Sequence, residues 1–163
     1  MKKLLWLLGV ATGLRAEMTL SGDDLRDGDP APLSFRGAAC GGQDQLPPLH
    51  WVGVPEGSAS LALTIHSPGG PSPGGQWHWA LINLAPDSTG LSPEGGQRLR
   101  NDGGRLDFSG PCPMPGWPGH YDITLYALDR RLDLPPEATP TQAVLAMYGH
   151  MLASARLTLL DHD

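Results

Sequence analysis

The sequence predicts a mainly β domain of short strands with one or two helices. Three observations carry this. Glycine and proline supply 22 and 17 of the 163 residues, too many for long helices, whose interiors both disrupt. Several segments alternate apolar and polar residues with the period of two that strands require. A single segment carries a full set of helix signals. The length suits one domain with a real core. The glycines and prolines separate clean alternating segments, which argues against low complexity.

The first 16 residues, MKKLLWLLGVATGLRA, have the layout of a secretory signal: two lysines, an apolar run from Leu4 to Val10, then small residues. Cleavage is expected after Ala16, although Leu14 at −3 is larger than usual. A buried N-terminal helix or a lone anchor is the alternative, but the run is short for a bilayer. The expected organisation is therefore a signal peptide at 1–16 and one domain at 17–163. Removing the signal takes Lys2, Lys3 and Arg15 with it. Eight arginines then face 17 acidic residues, a net −9 with no lysine. Such a surface has no basic patch to release counterions from nucleic acid, and it suits neither nucleic acid nor an anionic membrane. A periplasmic or secreted protein is expected.

Along the mature chain, Met18-Thr19-Leu20 opens a strand, and SGDDLRDGDPAP follows as surface loop. QLPPLHW is a proline-fixed segment with Trp51 as core anchor. Residues 60–66, SLALTIH, place Leu61, Leu63 and Ile65 on one face. Residues 77–84, WHWALINL, are apolar almost throughout and predict a strand buried on both sides. The stretch 85–110 reads as surface connection. Residues 120–128, HYDITLYAL, alternate, with Tyr121, Ile123, Leu125 and Ala127 facing one way. Thr139, Pro140 and Gln142 make a capping box and first turn for the helix. Val144, Tyr148, Met151 and Leu152 would form its core face, ending it between Gly149 and Leu152. ARLTLL, 155–160, is the last strand.

Cys40 and Cys112 are the only cysteines. In an exported protein such a pair predicts one disulfide; two buried free thiols are the alternative. A bridge would contribute roughly 4 kcal/mol on the chain-entropy model.

Two segments carry candidate chemistry. HSPGGPSPGGQWHW, 66–79, is a stiff loop that delivers His78 between Trp77 and Trp79 at the entry of a strand. Alternation would point His78 opposite to both tryptophans. A histidine at a sheet rim can donate to an anion and titrate near neutrality; its plainer reading is a structural histidine with satisfied nitrogens. GPCPMPGWPGHYD, 110–122, has Gly or Pro at seven of residues 110–119. Glycine admits close backbone approach and proline stiffens the wall of a small pocket. His120 and Tyr121 leave it on opposite faces. No Gly-x-Ser-x-Gly elbow is present, and Cys112 is a nucleophile only if unbridged. His66, His78 and His120 match no zinc spacing, so no metal, cofactor or enzymatic activity is expected.

The ordered segments MTLSGDDLRDGDPAP, CGGQDQLPPLHW, SLALTIHSPGGP…WHWALINL, GPCPMPG…HYDITLYALD and GHMLASARLTL resemble the phosphatidylethanolamine-binding proteins, in particular their bacterial Raf-kinase-inhibitor-like branch. The resemblance covers residues 17–160. It implies a large antiparallel sheet with smaller flanking strands and one or two peripheral helices. It also implies a small pocket for phosphate-like groups or phospholipid headgroups, in proteins that bind and, in some members, inhibit kinases or proteases. Carried over, the pocket would involve Ser67, Pro71, His78, Trp79, Gly110, Pro111, His120 and Tyr121. The family's Asp-Pro-Asp-Ala-Pro falls on Ser67-Pro68-Gly69-Gly70-Pro71, so both aspartates are lost. Its His-Arg-Tyr falls on Gly119-His120-Tyr121, so a pocket histidine is glycine unless His120 substitutes for it. The expectation is an exported anion-binding protein with a partly degenerate pocket. The alternative is a protein-interaction or inhibitor module whose small-ligand site has decayed. A homodimer is expected in either case.

Overall fold

The computed structural model describes residues 16–69, 72–116 and 119–161. The strands are β1 (Thr19–Gly22), β2 (Leu49–Val52), β3 (Ser60–Ser67), β4 (Gln76–Leu84), β5 (Gln97–Arg98), β6 (His120–Leu128) and β7 (Met151–Leu160). The helix α1 (Pro140–Met147) lies between the last two. β5–β4–β3–β6–β7 form a five-stranded sheet and β1–β2 a two-stranded one. All neighbours in both sheets are antiparallel. This is the mainly β architecture that the sequence predicts, with the large sheet, small flanking strands and peripheral helix that the family resemblance implies.

The central strands read as they pack. Leu61, Leu63 and Ile65 of β3 face one core, together with Leu20 of β1 and Trp51 of β2. Ala62 of β3 and Ala80 and Ile82 of β4 face the other, against Ala143 and Met147 of α1. A strand sandwiched between two layers needs apolar or hydrogen-bonded side chains on both sides. Ser60 meets this by donating from Oγ to the Arg130 carbonyl at 2.6 Å. Truncating Leu63, which is fully buried, would cost about 2–5 kcal/mol.

The capping box forms as expected: Gln142 N donates to Thr139 Oγ1 at 3.2 Å, and Thr139 N to Gln142 Oε1 at 2.8 Å. The helix's core face differs from the expected one. Its buried residues are Pro140, Ala143 and Met147. Tyr148 is 82% exposed, and Met151 and Leu152, 44% and 46% exposed, already belong to β7. Gly149, at φ +82°, turns the chain out of the helix, a left-handed step that favours glycine. Small Ala143 and flexible Met147, not the bulkier residues, let α1 lie against the sheet. The stretch 85–110 also differs from a plain surface connection. It contributes β5, and Leu99, Asn101 and Phe108 within it are buried.

Cys40 and Cys112 form the expected disulfide, with Cα atoms 5.6 Å apart. It staples two segments already in contact. Gly37 N donates to the Pro111 carbonyl at 2.9 Å, and Gly110 N to Asp44 Oδ1 at 2.7 Å. A Cβ at Gly110 would strike the Phe35 carbonyl and approach Gly37 N to 2.5 Å. The crossing of the two segments therefore requires glycine there.

Candidate functional site

His78 is where the sheet departs from regular alternation. Ile65 pairs with Trp79, but the next residue, His66, pairs with Trp77. His78 is thus the extra residue of a β-bulge, a device that re-aims a side chain. Trp77 faces α1, donating from Nε1 to Thr141 Oγ1 at 3.0 Å. Trp79 lies in the opposite core and donates to the Leu106 carbonyl at 2.9 Å. His78 meets Tyr121, a member of Trp79's cluster, edge to face at 6.0 Å. The expectation that His78 points away from both tryptophans is therefore corrected: the bulge turns it toward the side of Trp79.

The ring is 1% exposed, and both its nitrogens are engaged. Nδ1 lies 2.9 Å from the Ser109 carbonyl oxygen. Nε2 lies 2.7 Å from Ser67 Oγ. Ser109 also binds the backbone beneath, its N–H donating to the His78 carbonyl at 3.1 Å. The buried amide of Asn101 donates to that same carbonyl at 3.0 Å and to the Asp107 carbonyl at 3.1 Å. The imidazole is thereby held from behind by the 101–109 segment and in front by a serine that is only half buried. Burial pushes the His78 pKa below 6.5, with His66 acting in the same direction. The Ser109 carbonyl and Asp102 act against it.

Tyr121 is buried on the same side. Its pKa is pushed up to about 12, first by burial and then by the Asp161 carboxylate, with which it hydrogen-bonds; Arg36 opposes this. Asp161 pairs with Arg36 at 2.9 Å and is itself almost fully enclosed. The pair ties the strand end after β7 to the disulfide-stapled segment. A Cβ at Gly119 would lie 3.2 Å from the Tyr121 hydroxyl, so the missing side chain there leaves room for the Tyr121–Asp161 contact.

The structure thus brings Ser67, His78 and Tyr121 together beside the strap that ends in Gly110. Pro111 is buried behind that glycine. Trp79 serves the core. Pro71 lies outside the described residues, as does the signal-like run 1–15. His120 is not brought to the cluster. β6 pairs with β7 without a shift from His120 to Ala127, so His120 faces away from Tyr121, 3.9 Å from Asp122. It cannot stand in for the histidine missing at Gly119. Among the described residues, no three His, Cys, Asp or Glu side chains gather as a metal site would require. Sequence reading missed Ser109, Asn101, Asp44, Arg36 and Asp161. Only Asn101 carried a signal, as an amide residue between the apolar Leu99 and the Asp-Gly-Gly turn.

Comparison with known proteins completes the description. A family model described as phosphatidylethanolamine-binding protein matches residues 21–160. A UPF0098 protein of Methanothermobacter thermautotrophicus is 43% identical over 128 residues, which are 72% of this chain and 83% of that protein. The putative lipoprotein LppC of Mycobacterium tuberculosis is 39% identical over 86% of this chain and 70% of its own length. The crystal structure of Escherichia coli YbcL, described as a new member of the mammalian PEBP family, superposes with a TM-score of 0.83. It is 28% identical and covers 91% of this chain and 99% of YbcL.

Proposed function

The chain belongs to the phosphatidylethanolamine-binding protein family, and from that premise we propose that it is an exported, non-enzymatic binding protein for a small oxyanion. The ligand is a phosphate or a phosphate-bearing headgroup, seated against Ser67 on the side of Ser109 and Gly110. The observation that carries this reading is the chain Ser67–His78–Ser109. It is the hydroxyl of a half-buried serine backed by a buried imidazole whose far nitrogen is anchored on a carbonyl. Such an arrangement holds one polar group in a fixed orientation, which is how small-ligand sites orient what they bind.

Serine and glycine at 67 and 69 leave no carboxylate to repel an anion there, and none to pair with an aminoethyl group. Recognition therefore falls on the phosphate part of a headgroup. A non-enzymatic role is supported by the disulfide, which removes Cys112 as a nucleophile. Export is supported by the lysine-led apolar run, by the same disulfide, and by the lipoprotein name of the mycobacterial relative.

Calorimetric titration of inorganic phosphate and of phosphoethanolamine into the mature protein tests the reading. Heat of binding is expected with the parent and its loss in His78→Ala. Equal heats for the two proteins would remove this pocket from the account.

A second reading, an interaction module that pairs with its own copy, is favoured by one feature. Leu145 and Tyr148 at the end of α1 and Met151 and Leu152 at the start of β7 are all exposed. β7 ends the large sheet; the 27–31 segment takes its outer side at Thr158 and Leu160, which leaves the stretch before them as the part that strand addition would use. Sedimentation velocity with Tyr148→Asp distinguishes this: a dimer that dissociates in the variant supports it, and a monomeric parent refutes it.

A further inference from the structure

The proton positions in the Ser67–His78–Ser109 chain follow from what each partner can do. A carbonyl oxygen only accepts, so His78 Nδ1, 2.9 Å from the Ser109 oxygen, carries a proton in either charge state. A neutral imidazole then has none on Nε2. Across the 2.7 Å contact the Ser67 hydroxyl is the donor. A serine hydroxyl has one proton. With that proton directed inward, Ser67 turns only lone pairs outward, and an arriving oxyanion meets an acceptor. Protonating the ring reverses the bond. Nε2–H now donates to Oγ, and the hydroxyl proton is free to turn outward. The same step sets a positive charge directly behind the hydroxyl.

We propose that the site takes up a tetrahedral oxyanion and one proton together, with Ser67 Oγ–H as the group that touches the anion and His78 as the positioning residue that acts through it. The proposal rests on the anion-site reading above and adds the protonation step to it. His78 is 1% exposed, so it does not touch the ligand itself.

The charges around the ring leave this proton optional. His66 faces it from β3, and Asp102 from the segment after β5. Tyr121 faces it from β6, with Asp161 and Arg36 behind the phenol. Asp44, held to Gly110 N and 3.6 Å from Arg105, stands on the segment that crosses the strap at Gly110. Burial dominates these influences and keeps the empty site's imidazole neutral near pH 7. A bound anion supplies the missing counter-charge. By linkage, an anion that prefers the protonated ring raises its pKa, and protonation tightens the anion. An aspartate at 67 would set a carboxylate against Nε2 and favour the charged ring with or without an anion. Serine brings no charge of its own.

Sulfate is the probe for the pH series, because its own charge does not change where histidine titrates. Calorimetry is run at intervals across about pH 5 to 8, in two buffers of different ionisation enthalpy. Affinity is expected to rise about tenfold per pH unit on descending toward the native His78 pKa and then to level off. Uptake should approach one proton per sulfate. Ser67→Thr should keep the slope and Ser67→Ala should lose both slope and most of the affinity, with thermal unfolding checking that each variant is folded. In the parent, the His78 ring resonance followed by NMR should titrate at higher pH with sulfate than without. Sulfate that binds with the same affinity across the range would overturn the proton coupling and leave the anion site standing, whereas equal binding to Ser67→Ala would overturn both the coupling and the seat at Ser67. Absence of sulfate and phosphate binding at every pH would overturn both. At one fixed pH, matching affinities for inorganic phosphate and phosphoethanolamine would assign recognition to the phosphate group. Tighter binding of the latter would assign it to a headgroup.

Discussion

Strand β4 is bulged at both ends, at His78 and at Asn83, and the two ends put the same backbone device to different uses. Between Leu61 and Leu63 of β3 the pairing skips an extra residue of β4, where Asn83 sits at φ 60°. Asn83 then reads the backbone of the next loop: Nδ2 donates to the Leu132 carbonyl at 2.9 Å, and Oδ1 accepts from Leu132 N at 2.8 Å. Both polar ends of that side chain bind protein, and it carries no titrating proton. The His78 bulge also binds protein on its inner side, through Ser109. Its outer bond ends instead on the hydroxyl of Ser67, a residue that keeps part of its surface in solvent. A bulge frees one side chain from alternation. Whether it becomes a clamp or a site depends on what terminates its hydrogen bonds. The ends also differ in support: the His78 end leans on a disulfide-stapled strap, and the Asn83 end has no such cross-link.

The largest effect that separates the ends is reduction of Cys40–Cys112. It should lower stability by about 2–5 kcal/mol. It should also speed amide exchange at Ser109 and Gly110 more than at Leu132, because only the former segment is tied by the bridge. Uniform acceleration would erase the asymmetry. Next comes Asn83→Ala, expected to cost about 2–4 kcal/mol in chemical denaturation. It leaves both Leu132 groups unpaired and forces alanine into the left-handed region. Asn83→Gly should recover the backbone part alone.

His78→Ala should cost about 1–3 kcal/mol at neutral pH, from lost packing and an abandoned Ser109 carbonyl. Its diagnostic is pH. The native His78 pKa lies below the unfolded value near 6.5, so the unfolded chain binds the proton more readily between the two. The His78 contribution to stability is therefore fully present above about pH 6.5, falls as the pH drops through that window and levels off below the native pKa. His78→Ala should remove this contribution and Asn83→Ala should keep it. The smallest effect is expected from His120→Ala: stability within about 0.5 kcal/mol and unchanged phosphate affinity. A large loss of affinity there would mean that β6 presents the wrong face in this account.

The site was legible in unequal parts. His78 and Tyr121 could be picked out from their segments, and Gly110 from the glycine- and proline-rich strap. The direction of His78 could not be read, since alternation assumes an unbroken register and a bulge has no obligatory sequence mark. His120 failed as a substitute for the opposite reason: β6 keeps its register, so neighbouring residues stay on opposite faces. Ser109, Asp44, Arg36 and Asp161 were illegible, because their partners are distant in sequence and each is an ordinary loop residue on its own. The helix shows the same division. Its cap was read correctly from three adjacent residues, whereas its buried face depended on how closely the sheet approached.

By itself, then, the sequence determined what depends on neighbours along the chain. That covers the strands from their period of two, the capping box of α1, the stiffness of the two loops and the presence of one oxidisable cysteine pair. Tertiary structure alone decided the aim of His78, the carbonyl that anchors its Nδ1, the glycine-tight crossing at residue 110 and the burial of Asp161 against Arg36. The physical reason is range. Backbone propensity and side-chain periodicity act over a few residues. A hydrogen bond across the sheet is fixed only when packing has set the register of both strands.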